Sequence, residues 1–225
     1  MKLGVLFSGG KDSCLALHRA VAAGHEIVCL LTLFPERDDS WMFHTPALEW
    51  TALQAKALDI AQLTAATPGE PEDELADMEA LLVRAQRKYR ITGVVTGALA
   101  SVYQATRVQR VCANLGLWCF NPLWQLPQLK LLDVLLTDGY EVVVTAVAAD
   151  GLGAEWLGRS LDRAAVDRLL VQADRHRLNP AGEGGELETL VLGAPLFQKR
   201  LRLIETTSKF HAGAGRLHIT EAVLV

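Results

Sequence analysis

A glycine-rich polar turn near the N-terminus constrains this chain more than any other feature. The turn reads Ser-Gly-Gly-Lys-Asp-Ser over residues 8–13, and it lies between an apolar run, Leu3–Phe7, and the start of an amphipathic helix. Two adjacent glycines adopt backbone angles that other residues resist, so successive N–H groups can converge on one anion. Because the N-terminus of the following helix adds partial positive charge, the pattern predicts a phosphate-binding loop.

The side chains and the spacing of this turn refine that prediction. Ser8 and Ser13 offer hydroxyl donors, Lys11 offers a cation, and Asp12 either caps the helix or holds a metal ion. A Walker A loop needs four residues between its first glycine and Gly-Lys-Ser/Thr, and a dinucleotide-binding loop needs three spaced glycines. Neither pattern is present, so the turn is either a phosphate-binding loop of another class or a structural Gly-Gly turn capped by serine, and the strand before it and the helix after it favour the phosphate-binding loop.

The order of apolar runs predicts an α/β fold with two domains. Short apolar runs alternate with amphipathic stretches in the first half of the chain, which predicts a parallel sheet of about five strands with helices on both faces. After residue 125 the pattern changes to a smaller α+β lobe, so we predict domains at residues 1–125 and 126–225. The predicted strands are residues 3–7, 27–33, 62–66, 93–96, 118–120 and 140–147, with a C-terminal hairpin of residues 200–210 and 216–225. The predicted helices are residues 13–23, 46–58, 72–89, 102–115, 129–136 and 161–176.

Composition excludes several classes of protein. The 225 residues are 50% hydrophobic, which indicates a globular protein, and the net charge of −4 argues against indiscriminate nucleic-acid binding. No uncharged apolar run reaches the roughly 18 residues of a membrane span, and the first strand leaves no room for a signal peptide. We therefore expect a cytoplasmic protein, whose four cysteines, lacking any Cys-x-x-Cys spacing, are mostly buried thiols.

Further segments carry residues suited to substrate binding. Gly97 and Ser101 bracket a strand-to-helix turn. The backbone N–H groups of this turn either meet a substrate or serve only in packing. Tyr103, Gln104 and Arg107 are expected on one helical face, where an arginine binds a carboxylate or phosphate through two hydrogen bonds.

The remaining candidates each have a structural alternative of similar weight. His44 follows a central strand and is expected to face the nucleotide, or else to be a structural histidine; Trp156 and Arg159 clamp a substrate or pack in a core. Glu183, Glu186 and Glu188 form an acidic loop that suits an ammonium group, a cationic substrate or Mg²⁺ on phosphate oxygens, the alternative being a solvated turn.

These motifs together resemble those of the diphthine–ammonia ligase family. The loop at residues 8–13 resembles the pyrophosphate loop of N-type ATP pyrophosphatases, and the narrower signals are Gly182–Glu186 and the Ser-x-x-Gln segment at residues 101–104. The likeness covers nearly the whole chain. It implies ATP-dependent amidation of diphthine, a modified histidine of translation elongation factor two: the carboxylate is adenylated with release of pyrophosphate, and ammonia then displaces AMP.

The resemblance also implies cofactors, partners and site residues. ATP and Mg²⁺ are the implied cofactors, ammonia is the second substrate, elongation factor two is the protein partner, and a homodimer is compatible with it, without stable nucleic-acid or membrane binding. Catalysis is assigned to Lys11, Asp12, Glu183 and Glu186, with Asp12 as the candidate metal ligand. ATP binding is assigned to Ser8, Gly9, Gly10, Lys11, Asp12, Ser13, His44 and Gly97. Substrate binding is assigned to Ser101, Tyr103, Gln104, Arg107, Trp156, Arg159 and Glu188.

Two departures from the family pattern concern the acceptor. Leu187 stands where the family has an aromatic residue, and Gly193 stands where it has an aspartate. Bacteria lack diphthamide, so a bacterial member needs another acceptor carboxylate. The alternatives from other classes are a thiolating or lysidine-type tRNA enzyme and a non-catalytic nucleotide sensor; the missing Cys-x-x-Cys disfavours the first, and the glutamate-rich loop disfavours the second.

Overall fold

The structure of the protein, a computed structural model, describes residues 1–35, 47–68 and 71–225, with the side chains of Pro71 and Glu72 excepted. The chain divides into two compact units. The first comprises Met1–Ser8, Asp12–His44 and Asp59–Trp124, and the second comprises Gly9–Lys11, Thr45–Leu58 and Gln125–Val225. Besides the residues after the predicted boundary near residue 125, the second unit therefore contains two N-terminal segments, residues 9–11 and 45–58.

The first unit contains a five-stranded parallel sheet in the order β3-β2-β1-β4-β5. Its strands are β1 (Lys2–Leu6), β2 (Glu26–Pro35), β3 (Gln62–Thr67), β4 (Gly93–Val95) and β5 (Trp118–Phe120). Its helices are α1 (Lys11–Ala22, whose first residue groups with the second unit), α3 (Pro71–Tyr89) and α4 (Val102–Asn114). The predicted parallel α/β sheet is confirmed.

Helices cover both faces of this sheet because the chain reverses its direction across the strands beside β1. The connection through α1 leads from β1 to β2, whereas α3 and α4 lead toward the opposite edge, and right-handed crossovers then put α1 on the other face. One face buries Met78, Leu81 and Val108 together with the strand residues Leu31 and Val94. In such sheets ligands bind beyond the carboxyl ends of the strands where the order reverses, and here the Ser8–Ser13 loop follows β1 at that point.

The second unit contains a four-stranded antiparallel sheet in the order β7-β6-β9-β8. Its strands are β6 (Glu141–Ala148), β7 (Leu187–Gly193), β8 (Leu201–His211) and β9 (Ala214–Leu224), and its helices are α2 (Thr51–Leu58), α5 (Gln128–Thr137) and α6 (Arg163–His176). Val143, Leu190 and Ile219 lie in its buried core. The predicted C-terminal hairpin is confirmed, and its turn residues Ala212 and Gly213 both have positive φ (50° and 81°), as a tight two-residue turn requires.

Three local features differ from the sequence prediction. Strand β7 was not predicted, because the Gly- and Glu-rich segment before it indicates a loop that extends through Thr189. Helix α1 begins at Lys11 rather than Ser13, so Lys11–Ser13 form its first turn, the part of a helix whose N–H groups point toward a bound anion. Within the predicted helix at residues 46–58, residues 48–58 form a 3₁₀ turn, Leu48–Trp50, followed by α2, and Pro46 lies outside the described residues.

The cysteines are free thiols and mostly buried, as the sequence predicts. All four cysteines are free, and Cys14, Cys29 and Cys112 are buried. Burial raises the pKa of the Cys29 thiol to about 12, so it is protonated at neutral pH. Among the described residues, no helix combines the length and apolarity needed to cross a membrane.

Candidate functional site

The Ser8–Ser13 loop leaves the carboxyl end of β1 and turns directly into α1. Gly9 has a φ of 77°, a conformation that glycine adopts without strain. Ser8 Oγ donates a hydrogen bond to Ser13 Oγ over 3.2 Å, which links the two ends of the loop. Gly10 and Lys11 are buried, and Asp12 is partly exposed. The predicted strand–turn–helix geometry of a phosphate-binding loop is therefore present.

Gly97 lies against the first turn of α1. It follows β4, which pairs with β1 in parallel. A Cβ atom built on Gly97 would lie 2.9 Å from the Ser13 backbone nitrogen and 3.0 Å from the Asp12 carbonyl carbon. Thr96 orders the same turn, since its hydroxyl accepts a hydrogen bond from Ala98 N (3.2 Å) and donates one to the side chain of Asn121 (2.8 Å). The structure thus brings Gly97 to the loop with which it was predicted to act.

Within the second unit, β7 holds the backbone of the loop segment Gly9–Lys11. Val191 N donates a hydrogen bond to Gly9 O over 3.0 Å. Lys11 N donates one to Thr189 Oγ1 over 3.2 Å. The backbone of Gly9 and of Lys11, on either side of Gly10, is therefore fixed by a strand that the sequence pattern did not predict.

A buried glutamine of α2 completes this arrangement and was also missed. Gln54 has no solvent exposure, and its Nε2 donates hydrogen bonds to Gly9 O (2.8 Å) and to Val191 O (2.7 Å). The signal in the sequence is weak: a glutamine three residues after Thr51 and four before Leu58 lies on the face of α2 that is otherwise buried.

The predicted substrate-binding residues of α4 lie at its first two turns. Ser101 caps the helix, because its Oγ accepts a hydrogen bond from Gln104 N over 3.3 Å. Tyr103 and Arg107 share one face as expected, with the guanidinium carbon of Arg107 3.5 Å from the centroid of the Tyr103 ring. This stacking holds the arginine in one orientation and leaves edge N–H groups for an anion.

Trp156 and Arg159 form a second pairing of an aromatic ring with basic side chains. Trp156 is completely buried at the end of the 3₁₀ turn Ala154–Trp156, so its ring contacts protein atoms. The guanidinium carbons of Arg159 and Arg168 lie 5.7 Å and 5.4 Å from that ring, and Arg168 also pairs with Glu155 at 2.9 Å. Arg159 is partly exposed, which makes it the member of the predicted pair that a substrate can reach.

The carboxylate of Glu186 organises the acidic loop before β7. Its Oε1 accepts hydrogen bonds from Asn179 N (3.0 Å) and Asn179 Nδ2 (2.7 Å), and its Oε2 accepts one from Gly184 N (2.7 Å). Partial burial alone would raise the pKa of Glu186. The hydrogen bonds from Asn179 and Gly184 have the larger effect, so the pKa lies below its ordinary value. Glu188 lies within β7 opposite Ala146, and Glu183 is partly buried in the loop.

Two further predictions concern His44 and a metal ion. His44, with the segment Ser40–Pro46, lies outside the described residues. Within residues 1–35, 47–68 and 71–225, no group of three or more His, Cys, Asp or Glu side chains could hold a metal ion.

The two parts of the chain match the two domains of one protein family. Residues 1–119 match the diphthamide synthase N-terminal domain, and residues 128–225 match the diphthamide synthase C-terminal domain. The chain belongs to the diphthamide synthase family.

Curated relatives of this family member are named as ligases. It is 39% identical to the diphthine–ammonia ligase of Schizosaccharomyces pombe, over 91% of this chain and 36% of that protein. It is 34% identical to the diphthine–ammonia ligase of Bos taurus, over 89% of this chain and 82% of that protein. It thus spans about a third of the first relative and most of the second. The sequence-based predictions of the family, and of a ligase as the enzyme class, are confirmed by these matches.

A solved structure also aligns with the diphthamide synthase family member. It is described as a predicted subunit of a tRNA methyltransferase from Methanocaldococcus jannaschii. The two share 15% identity with a TM-score of 0.44, and the alignment covers 87% of this chain and 98% of the other.

The two departures of this chain from its family pattern lie at opposite ends of β7. Leu187 is its first residue and is 2% exposed, lying against Gly182. Gly193 is its last residue and pairs with Glu141, whose carboxylate forms an ion pair with Arg200. A Cβ on Gly193 would lie 3.2 Å from Glu141 Oε2, so an aspartate there would place a second carboxylate beside Glu141.

Proposed function

We propose that this member of the diphthamide synthase family is an ATP-dependent ligase that joins ammonia to the carboxylate of diphthine on translation elongation factor two, releasing AMP and pyrophosphate. The observation that carries the proposal is the match of both halves of the chain to the two diphthamide synthase domains. It is supported by the Ser8–Ser13 loop, whose place at the carboxyl end of β1 suits the phosphates of ATP.

The first step is adenylation of the acceptor. A carboxylate oxygen of diphthine attacks the α-phosphorus of ATP, the new O–P bond forms, and the bond from that phosphorus to the bridging oxygen breaks with release of pyrophosphate. Backbone N–H groups of the Ser8–Ser13 loop and the ammonium group of Lys11 offset the negative charge of the phosphates. Gly97 permits the turn after β4 to approach the same loop.

The second step is displacement of AMP by ammonia. The nitrogen lone pair attacks the acyl carbon, the C–N bond forms, the bond to the adenylate oxygen breaks, and the nitrogen loses a proton. Glu183 and Glu188 are the candidate groups to hold ammonium, to take the proton that frees its lone pair, and to accept the second proton that the nitrogen loses after the attack. Glu186 orders the loop that carries Glu183, since both of its oxygens accept hydrogen bonds from loop residues.

Residues of α4 and of the 3₁₀ turn are assigned to the acceptor. Arg107, oriented by Tyr103, suits a carboxylate through two parallel N–H donors. Arg159 offers a second partly exposed guanidinium group. Ser101, Gln104 and Trp156 support these positions, Ser101 through the helix cap and Trp156 through its packing.

The residues of the loop are compatible with Mg²⁺ bound together with ATP. Mg²⁺ commonly uses one or two protein carboxylates, with phosphate oxygens and water completing its six ligands. Asp12, partly exposed in the first turn of α1, is the carboxylate that would hold it. When bound, the ion neutralises charge on the leaving pyrophosphate.

The proposal is tested by incubating the purified protein with ATP, ammonium and elongation factor two that carries diphthine. We expect amidation of the modified histidine by mass spectrometry, with AMP and pyrophosphate in equal amounts. Gly9→Val should abolish the reaction, because Gly9 has a φ of 77° and a Cβ atom there would collide with Gln54 Oε1. ADP as the main product would contradict the chemistry, and AMP formed without amidation of the factor would contradict the acceptor.

A further inference from the structure

We propose that Gln54 is a positioning residue of the ATP site, which fixes the peptide between Gly9 and Gly10 so that the Gly10 N–H faces the phosphates. The inference rests on the proposed function and adds to it a residue from α2, outside the glycine-rich loop. It predicts a role in phosphate binding rather than in binding the adenosine or the acceptor.

The contacts of Gln54 are those of a donor aimed at two carbonyl groups. Its Nε2 lies 2.8 Å from Gly9 O and 2.7 Å from Val191 O, and the whole residue is buried with no exposure. Because both partners are carbonyl oxygens, the NH₂ group, and not the oxygen, must face them. The orientation of the amide is therefore fixed by its partners.

The two hydrogen bonds on Gly9 O determine the plane of the following peptide. Gly9 O accepts from Gln54 Nε2 and also from Val191 N, at 3.0 Å. In a trans peptide the N–H of the next residue points opposite to the C=O, so the Gly10 N–H is directed away from Gln54 and β7. Two adjacent glycines would otherwise sample many peptide orientations, which would lower the fraction of loops ready for an anion.

The oxygen of the same amide points to the NH₂ group as the part of Gln54 that acts on the loop. Gln54 Oε1 is buried and accepts no hydrogen bond from the residues that the structure describes. An unsatisfied buried acceptor costs free energy, which an apolar side chain of this size would avoid. The oxygen also occupies the space where a Cβ on Gly9 would lie, so Gln54 and Gly9 fit together.

The test compares two substitutions that remove an amide but keep the length of the side chain. Gln54→Met removes both hydrogen bonds made by the amide, and Gln86→Met is the matched control, since Gln86 Nε2 donates to Leu115 O at 3.1 Å in the first unit. Dissociation constants for ATP, pyrophosphate and adenosine are measured by calorimetry. We expect Gln54→Met to weaken ATP and pyrophosphate by about tenfold and to leave adenosine unchanged, as for the loss of one to two hydrogen bonds.

A second variant keeps the inference testable if Gln54→Met folds poorly. Gln54→Glu places a carboxylate against two carbonyls at neutral pH, and burial together with those carbonyls raises the pKa of the new carboxyl. When that group is protonated it again donates one hydrogen bond, so its ATP affinity should recover as the pH falls from about 8 to about 6. Loss of packing alone would not recover with pH.

The outcomes separate this inference from the proposed function. If the wild-type protein fails to bind ATP, the proposed function is contradicted. If the wild type binds ATP and Gln54→Met binds ATP and pyrophosphate equally well, the role of Gln54 is contradicted. A parallel loss of adenosine and pyrophosphate affinity, without recovery of Gln54→Glu at lower pH, also contradicts positioning.

Discussion

The backbone N–H of Lys11 donates a hydrogen bond to the hydroxyl of Thr189, a residue 178 positions further along the chain. Both residues are 3% exposed. The same strand donates from Val191 N to Gly9 O, so β7 contacts the segment Gly9–Lys11 at two points. The central residues of the Ser8–Ser13 loop are therefore fixed by a strand near the other end of the chain.

Replacement of Thr189 tests the contact directly. Thr189→Val keeps the shape of the side chain and removes the acceptor, leaving the Lys11 N–H without this hydrogen bond. We expect the dissociation constant of ATP to rise by roughly fivefold to tenfold, the equivalent of about 1 to 1.5 kcal/mol for one buried hydrogen bond. Thr189→Ser retains the hydroxyl and should stay within about twofold of the wild type. Equal affinities for all three proteins would show that the contact does not support ATP binding.

Replacement of Gly97 tests its close approach to α1. The Cβ of Gly97→Ala would lie 2.9 Å from the Ser13 nitrogen, a backbone atom that moves only if the first turn of α1 moves. We expect ATP affinity to fall by at least about tenfold, since the loop and the helix start lose their geometry.

Gly139→Ala is the matched control for that change. Gly139 has a φ of 75°, and no atom lies within 4 Å of the position that a Cβ would occupy, so alanine there strains the backbone without a collision. The free energy of unfolding should fall by about 1 kcal/mol, which lowers the melting temperature, while ATP affinity stays unchanged. A Gly97→Ala protein with wild-type ATP affinity would contradict the predicted role.

Much of the first unit could be predicted because its signals are local. Apolar runs bounded by turn residues predicted β1 and β2, and an amphipathic stretch predicted the helix after Ser101. The Gly-Gly turn predicted the loop. The helix cap of Ser101 and the shared face of Tyr103 and Arg107 follow from spacing within one helix. These features depend on residues within a few positions of each other.

The contacts that hold the loop could not be predicted in the same way. Thr189 and Gln54 contact the loop only because the chain folds so that β7 and α2 meet it, and no local pattern encodes that pairing. Strand β7 itself was concealed by the Gly- and Glu-rich residues before it, although Leu190–Leu192 is an apolar run of the kind that forms a buried strand. The acidic loop was likewise expected from its motif, but the hydrogen bonds of Glu186 to Asn179 and Gly184 were not.

Paired variants of the acidic loop separate two roles for Glu186. Glu186→Gln keeps the shape but removes the charge, and we expect turnover to fall by roughly 10²-fold with a much smaller change in ATP affinity. Asn179→Ala removes one of the three donors to the carboxylate. If Glu186 acts by ordering the loop, Asn179→Ala should reproduce part of the loss; if it touches the amine, Asn179→Ala should stay near wild type. A fully active Glu186→Gln protein would contradict both roles.

The lowered pKa of Glu186 gives the acidic loop a defined dependence on pH. A carboxyl whose pKa is depressed in the folded loop stabilises that loop at every pH above its ordinary value of 4.5, and the stabilisation is lost as the pH falls through the depressed pKa. Burial opposes this shift in the pKa, and hydrogen bonds from Asn179 and Gly184 outweigh it, so protonation should weaken both contacts together. We expect the amide proton resonances of Asn179 and Gly184 to titrate in NMR spectra with one midpoint below pH 4.5, and to lose this transition in Glu186→Gln. A midpoint above 4.5, or a titration that persists in Glu186→Gln, would show that these hydrogen bonds do not hold the ionised carboxylate.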